Sequence, residues 1–157
     1  MIEPELHLRP AAFDDWALLL SWRNDPVTRS GSHHAEPVRE DHHKEWLKGV
    51  LEDPERKLFV ALLRDEPVGS CRADHDAEAH ELSWTVAPSA RGRGIGTRMV
   101  KALAVAIGGR LRAEVKEGNP ASGRIAVAAG LTLREQVGET LHYRNYEVRA
   151  GDGSASS

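Results

Sequence analysis

The sequence predicts an α/β fold of the mixed α+β kind, with about seven strands and about four helices around one core. Three observations predict it. Stretches of strict apolar/polar alternation and stretches with apolar residues at helical spacing succeed one another along the chain. A strand, a glycine-rich turn and an amphipathic helix follow without interruption from His80 to Ile107. The length of 157 residues suits a single domain. That domain is expected over residues 1–150, with the small polar residues 151–157 forming a disordered tail.

Glu5 to Arg9 alternates as a short strand ended by Pro10, and Phe13, Trp16, Ala17 and Leu20 then recur at helical spacing. Arg23 to Pro37 carries Asn24-Asp25-Pro26, Ser30-Gly31-Ser32 and His33-His34, and reads as a long functional loop. A second helix is expected from Arg39 to Leu51, with Trp46, Leu47, Val50 and Leu51 apolar and Pro54 preventing extension. Lys57–Leu63 and Val68–Arg72 read as strands joined by the turn Arg64-Asp65-Glu66-Pro67. After an acidic turn, His80 to Val86 alternates cleanly until Ala87-Pro88. Ile95, Met99, Leu103 and Ile107 define a helix closed by Gly108-Gly109. Leu111–Lys116 reads as a strand and Pro120–Ala129 as a short helix closed by Gly130. Leu131–Val137 and Leu141–Val148 read as a final antiparallel pair.

Composition excludes several function classes. With 21 Lys and Arg against 24 Asp and Glu, the chain is not built mainly to neutralise phosphates, so nucleic acid is not an expected partner. No apolar run approaches the roughly 20 residues of a membrane span, and Met1 opens no secretory signal. The single Cys71 can form no intrachain disulfide, and together with these features it makes a cytoplasmic location the expected one. His33, His34, His42 and His43 have spacings that fit no common zinc site, and no metal is expected.

Between the His80–Val86 strand and the following helix lies Arg91-Gly92-Arg93-Gly94-Ile95-Gly96-Thr97. Backbone amides and the positive helix end can point there at a pyrophosphate. Thr97 breaks the dinucleotide spacing, and no Gly-Lys-Ser/Thr follows. With Val86-Ala87-Pro88 upstream, the run resembles the acetyl-CoA loop of the GNAT (Gcn5-related N-acetyltransferase) superfamily, Arg/Gln-x-x-Gly-x-Gly/Ala. Asn119-Pro120-Ala121-Ser122 with the helix to Gly130-Leu131 resembles the second signature of that superfamily. The order of elements from Glu5 to Val148 matches as well, and the resemblance implies a central mixed, mostly antiparallel sheet of about seven strands flanked by about four helices. It also implies that the amides of Arg91, Gly92, Arg93, Gly94, Ile95, Gly96 and Thr97 hold the pyrophosphate of acetyl-CoA. Main-chain groups of Val86 would pair with pantetheine, and Asn119 and Ser122 would contact the pantetheine or nucleotide arm. Local charge agrees, since Arg91 to Lys116 holds seven Lys or Arg against one Glu. Individually, Lys101, Arg110 and Arg112 read as charges of a solvated face.

Acetyl transfer to an amine requires a neutral amine, an acceptor for its second proton, and polarisation of the thioester carbonyl. The resemblance places base candidates on the strand before the glycine loop or on the next, which makes them His80, Glu81 and Glu114. An imidazole titrates near neutrality, whereas a carboxylate is a weak base unless burial raises it. Alternation sets His80 and Glu81 on opposite faces and Ser83 with Glu81, and the pair Glu81 and Ser83 is favoured. Many members carry a tyrosine that protonates the leaving thiolate; the matching position here is Ala126, which leaves Tyr143 as a substitute phenol. That departure admits a non-catalytic acyl-CoA sensor as an alternative.

Acceptor specificity is expected from the first two helices and their connection. Trp22-Arg23-Asn24-Asp25 followed by Arg29-Ser30, Glu40, His42, His43 and Trp46 resembles the branches acting on nucleotide-linked amino sugars. Its first four residues resemble the ribosomal-protein alanine acetyltransferases too. Arg23, Asn24 and Arg29 are the expected acceptor contacts, while Trp22 and Trp46 read as core. The expected function is acetyl transfer to a primary amine of a small molecule, with N-terminal protein acetylation as the alternative, and the resemblance admits a homodimer.

Overall fold

A computed structural model describes residues 4–33 and 35–148, so His34 and the expected tail lie outside the described residues. Strand β1 (Leu6–Pro10) leads through a short 3-10 turn (Phe13–Asp15) into α1 (Trp16–Arg23). Helices α2 (Pro26–Ser30) and α3 (Glu40–Glu52) precede β2 (Arg56–Leu63), β3 (Glu66–His75) and β4 (His80–Val86). Then come α4 (Ile95–Ile107), β5 (Leu111–Lys116), α5 (Pro120–Ala128), β6 (Thr132–Val137) and β7 (Thr140–Arg144).

The strands form one seven-stranded sheet in the order β1-β2-β3-β4-β5-β7-β6, antiparallel except between β4 and β5. The mixed, mostly antiparallel sheet is therefore as expected, but the described residues form five α-helices around it rather than four. The additional helix is α2, inside the stretch read as loop. Asp25 accepts from the amides of Val27 and Thr28, and Pro26 occupies the first turn, where its missing N–H costs nothing. Strand β3 starts two residues before the expected boundary and runs to His75, because the turn is only Arg64-Asp65, both left-handed at φ 51° and 64°. Strand β7 stops at Arg144, short of Val148. There the backbone amide of Asn145 still bonds the carbonyl of Leu111 at 3.1 Å, while its side chain accepts from the amide of Leu111 at 2.8 Å and donates to the carbonyl of Gly109 at 2.9 Å.

Side-chain alternation sorts the sheet into two faces. Gly69, Cys71, Ala73, Leu82, Val86, Ala113 and Val115 look toward α4 and α5, and Met99, Val100 and Leu103 of α4 close that layer with no exposure. On the other face, Val60 and Leu58 meet Leu47 and Val50 of α3 together with Leu19 and Trp22 of α1. Burying such side chains contributes roughly 1.5–3 kcal/mol each. Toward β4 and β5 this second face turns polar, with Ser70, Arg72 and Asp74, then Glu81, Ser83 and Thr85, then Arg112, Glu114 and Lys116. The polar part of that face borders the site.

Candidate active site

Strands β4 and β5 are paired only at His80↔Leu111 and Glu81↔Arg112. Beyond that the two strands diverge, β4 running on to Val86 and β5 to Lys116. The result is a fork in the centre of the sheet, with Glu81 and Arg112 at its apex and the glycine loop at its mouth. The facing edges of Leu82–Val86 and Ala113–Lys116 retain backbone polar groups, because β4 bonds β3 and β5 bonds β7 on their far sides. A slender molecule with its own amides can enter such a gap as an extra strand.

The glycines at the mouth serve two purposes. Gly92 and Gly94 hold φ of 75° and 72°, a left-handed backbone that glycine adopts without strain. Gly94 is the N-cap of α4 and supplies no side-chain cap, so the first amides of that helix face outward. At Gly96 a Cβ would lie 2.6 Å from Cδ1 of Ile125 and 3.2 Å from Cγ2 of Val86, so this glycine lets α4 seat against α5 and β4. Arg91 turns its guanidinium back to Asp25 and Thr28. Asn119 caps α5 by accepting from the amide of Ser122, and donates to the carbonyl of Gly31 at 3.3 Å.

Glu81, Ser83 and Glu114 share the face covered by α1, α2 and α3. Glu81 meets Nε of Arg112 at 3.3 Å, and the same guanidinium binds Asp76. Asp76 also accepts from the amides of Glu78 and Ala79, which closes the network. Arg112 and these amides hold Asp76 well below the usual carboxylate range, and Asp76 in turn lifts Arg112 above its own. Glu114 lies across from His142 of β7, with 3.7 Å between Oε1 and Nδ1. His80 is on the opposite face, stacked on His75 at 4.3 Å between ring centroids. Burial first, then the nearness of His75 and Lys57, keeps the His80 imidazole below its ordinary range, while Glu55 and Asp76 oppose this.

Tyr143 also lies on the face opposite Glu81. It is 7% exposed, and its hydroxyl stands 2.8 Å from where a Cβ on Gly123 would be. With Asn119, Gly123, Val127 and Leu141 it lines a groove of about 750 Å³ between α5 and β7. Ala126, the position of the phenol implied by the resemblance, is a fully buried residue of α5.

In the acceptor region, Asn24 is engaged with the main chain of Val38, donating to its carbonyl at 2.8 Å and accepting from its amide at 2.7 Å. Arg29 donates to the carbonyls of Asn24 at 3.1 Å and Ala35 at 3.4 Å. Burial, reinforced by Arg29, lowers the pKa of Arg23. Trp22 is core, as expected. Trp46 is not, being 36% exposed with the guanidinium of Arg72 5.2 Å from its ring, because α3 presents it over the polar part of the sheet. Two residues of this site escape a reading of the sequence. Arg112 reads as a solvated charge but is the apex partner of Glu81, and Arg72 carries no motif at all. Strict alternation with Glu114 along β5 is the signal that points to Arg112.

A family model described as Acetyltransferase (GNAT) domain matches residues 5–132. No curated protein matches. Among solved structures, an acetyltransferase from Thermus thermophilus superposes with a TM-score of 0.76 at 26% identity, over 91% of this chain and 98% of the other. Aminoglycoside acetyltransferase AAC(6')-Ib in complex with coenzyme A and kanamycin gives 0.77 at 19% identity, over 89% and 93%. RimL, a ribosomal L7/L12 α-N-protein acetyltransferase in complex with coenzyme A, gives 0.75 at 16% identity, over 88% and 92%.

Proposed function

Because the chain belongs to the GNAT acetyltransferase family, we propose that it is an acetyl-CoA-dependent N-acetyltransferase whose acceptor is a small amine that also carries an anionic group, such as a nucleotide-linked amino sugar. The observation that carries the cofactor half is the fork, open on both inner edges and ending at a turn of outward-facing amides. Amides from Arg91 to Thr97 and the start of α4 would bind the pyrophosphate, and the edge of β4 to Val86 would bond the pantetheine arm.

The acceptor half rests on charge. Among the described residues, the carboxylates bordering the apex on the acceptor face each meet a basic group: Asp74 has Arg56 at 3.2 Å and Arg72 at 2.9 Å, Asp76 and Glu81 share Arg112, and Glu114 faces His142. Arg23 and Arg29 add positive charge on α1 and α2, the helices on that side of the sheet. Such a surface offers little to a polyamine or an aminoglycoside and favours a phosphate or carboxylate beside the reacting amine. In this reading Glu81, placed where the fork closes, takes or relays the proton lost by the attacking amine, with Ser83 two residues along the same face. Arg112 keeps the carboxylate aimed. The thiolate leaves with its proton from water or from a phenol such as Tyr143.

The test is incubation with acetyl-CoA and a panel of a nucleotide-linked amino sugar, a neutral amino sugar, a polyamine and a peptide, followed by thiol release and by the mass of the acceptor. Acetylation of the nucleotide-linked amine is expected to lead the panel, and Glu81→Gln to slow it by about 10²–10⁴-fold. Transfer to the peptide alone would replace this reading by N-terminal protein acetylation. Acetyl-CoA binding with no transfer to any amine would replace it by a sensor.

A further inference from the structure

Helix α2 crosses the mouth of the fork like a strap, tied on both sides. On the β4 side, the Arg91 guanidinium donates to Asp25 and, at 2.9 Å, to Oγ1 of Thr28. On the β5 side, Nζ of Lys116 reaches the carbonyl of Ser30 at 3.4 Å, and Nδ2 of Asn119 reaches that of Gly31 at 3.3 Å. The approach at Gly31 is close enough that a Cβ there would meet the Asn119 amide at 2.9 Å. Asp25 has two tasks, since the same carboxylate accepts from the amides of Val27 and Thr28 that open α2. The helix is five residues long and has little stability of its own, so its ties decide where it lies.

We infer that Arg91 and Asp25 are positioning residues that lock the acceptor loop to the cofactor loop: the Arg91 side chain is given to α2 and not to the pyrophosphate, and it sets the place of α2 and of the acceptor loop that follows. The inference rests on the acetyltransferase reading for its kinetic consequence but not for its geometry. Main-chain amides of the glycine loop are untouched by a change of the Arg91 side chain. Its loss therefore leaves cofactor affinity in place and disturbs the acceptor side.

The experiment compares Arg91→Gln, Asp25→Asn and the double variant with the wild type in three measurements. Calorimetry with acetyl-CoA should give dissociation constants within about twofold of one another, since the amides bind. Hydrogen exchange of the amides of residues 27–31 in the acetyl-CoA-bound protein should quicken by about tenfold or more in each single variant, and no further in the double. The acceptor KM should rise by about tenfold in each single variant, and again not additively, with a smaller change in kcat. A tenfold or greater loss of acetyl-CoA affinity in Arg91→Gln but not in Asp25→Asn would assign the guanidinium to the pyrophosphate and overturn the inference. So would unchanged exchange over residues 27–31, or losses that add. Exchange is read without turnover. Absence of acetyl transfer would therefore count against the proposed reaction, while the exchange rates alone would still support or overturn the strap.

Discussion

His43 is a buried residue of α3 next to Trp46, and its Nε2 atom has no hydrogen-bond partner among the described residues. Burial depresses its pKa, and the charge of Arg23 adds to that, while a bond to the main chain of Trp16 acts the other way. Folding therefore favours the neutral ring, whereas in the unfolded chain it takes up a proton below about pH 6.5. Between the depressed folded value and the unfolded one the unfolded state binds more protons, so stability falls as pH drops through that interval. His43→Leu removes both the titration and the unpaired nitrogen. Melting temperatures at about pH 5.5 and 7.5 should differ less in that variant than in the wild type, and an equal fall in both proteins would assign the acid limb to other groups. Cys71 is the contrasting residue, a buried thiol pushed up to about 12, and thus a packing group with no nucleophilic use near neutral pH.

At the scale of elements, α5 and β7 are matched through one glycine and one tyrosine. A methyl at Gly123 would lie 2.8 Å from the Tyr143 hydroxyl and 3.7 Å from Cζ. Alanine in a helix interior is otherwise favoured over glycine by roughly 0.5–1 kcal/mol. Overpacking costs about 1–3 kcal/mol, so Gly123→Ala should lower stability in the wild type. In a Tyr143→Phe background, where the hydroxyl is gone, the same change should raise it. Denaturant midpoints of the four proteins test this, and a destabilisation that persists in that background would mean that the backbone of α5 is the obstacle. The same comparison separates packing from chemistry at Tyr143, since Tyr143→Phe alone should leave the fold intact while exposing any share in turnover.

For the molecule as a whole, the fork interrupts the sheet at its centre, and the segment of α2 is hydrogen-bonded to Arg91 after β4 and to Asn119 after β5. A ligand that bonds both inner edges completes the ladder. At about 100 times its dissociation constant, acetyl-CoA should stabilise the fold by about 2.7 kcal/mol, which for a chain of this size corresponds to roughly 5–10 °C in Tm. S-acetylpantetheine, which lacks the pyrophosphate, should give a clearly smaller shift at equal concentration. Gly94→Val should abolish the response to acetyl-CoA, because a β-branched residue strains the left-handed N-cap at φ 72° and crowds the amides. Equal shifts from the two ligands would place the binding energy in the fork and not in the glycine loop.

Elements whose order is local in origin can be read from the chain alone. The bounds of β4, α4 and β5 follow from alternation, from apolar spacing and from glycines that end helices, all of which act over a few residues. The glycine loop is legible for the same reason, since positive φ at Gly92 and Gly94 is a demand on single residues. Helix α2 is legible in principle, from Asp25 as cap and Pro26 as first residue, but the neighbouring turn formers outweigh a five-residue signal. The parting of β4 and β5 after Glu81 emerges only on folding, because the gap is a relation between two strands and neither strand shows it alone. Folding likewise brings Arg112 to Glu81, sets Trp46 over Arg72 and not in the core, and carries Arg91 across 66 residues to Asp25. Charge pairs and cleft walls depend on which faces are brought together, and that information resides in the packing of the whole chain.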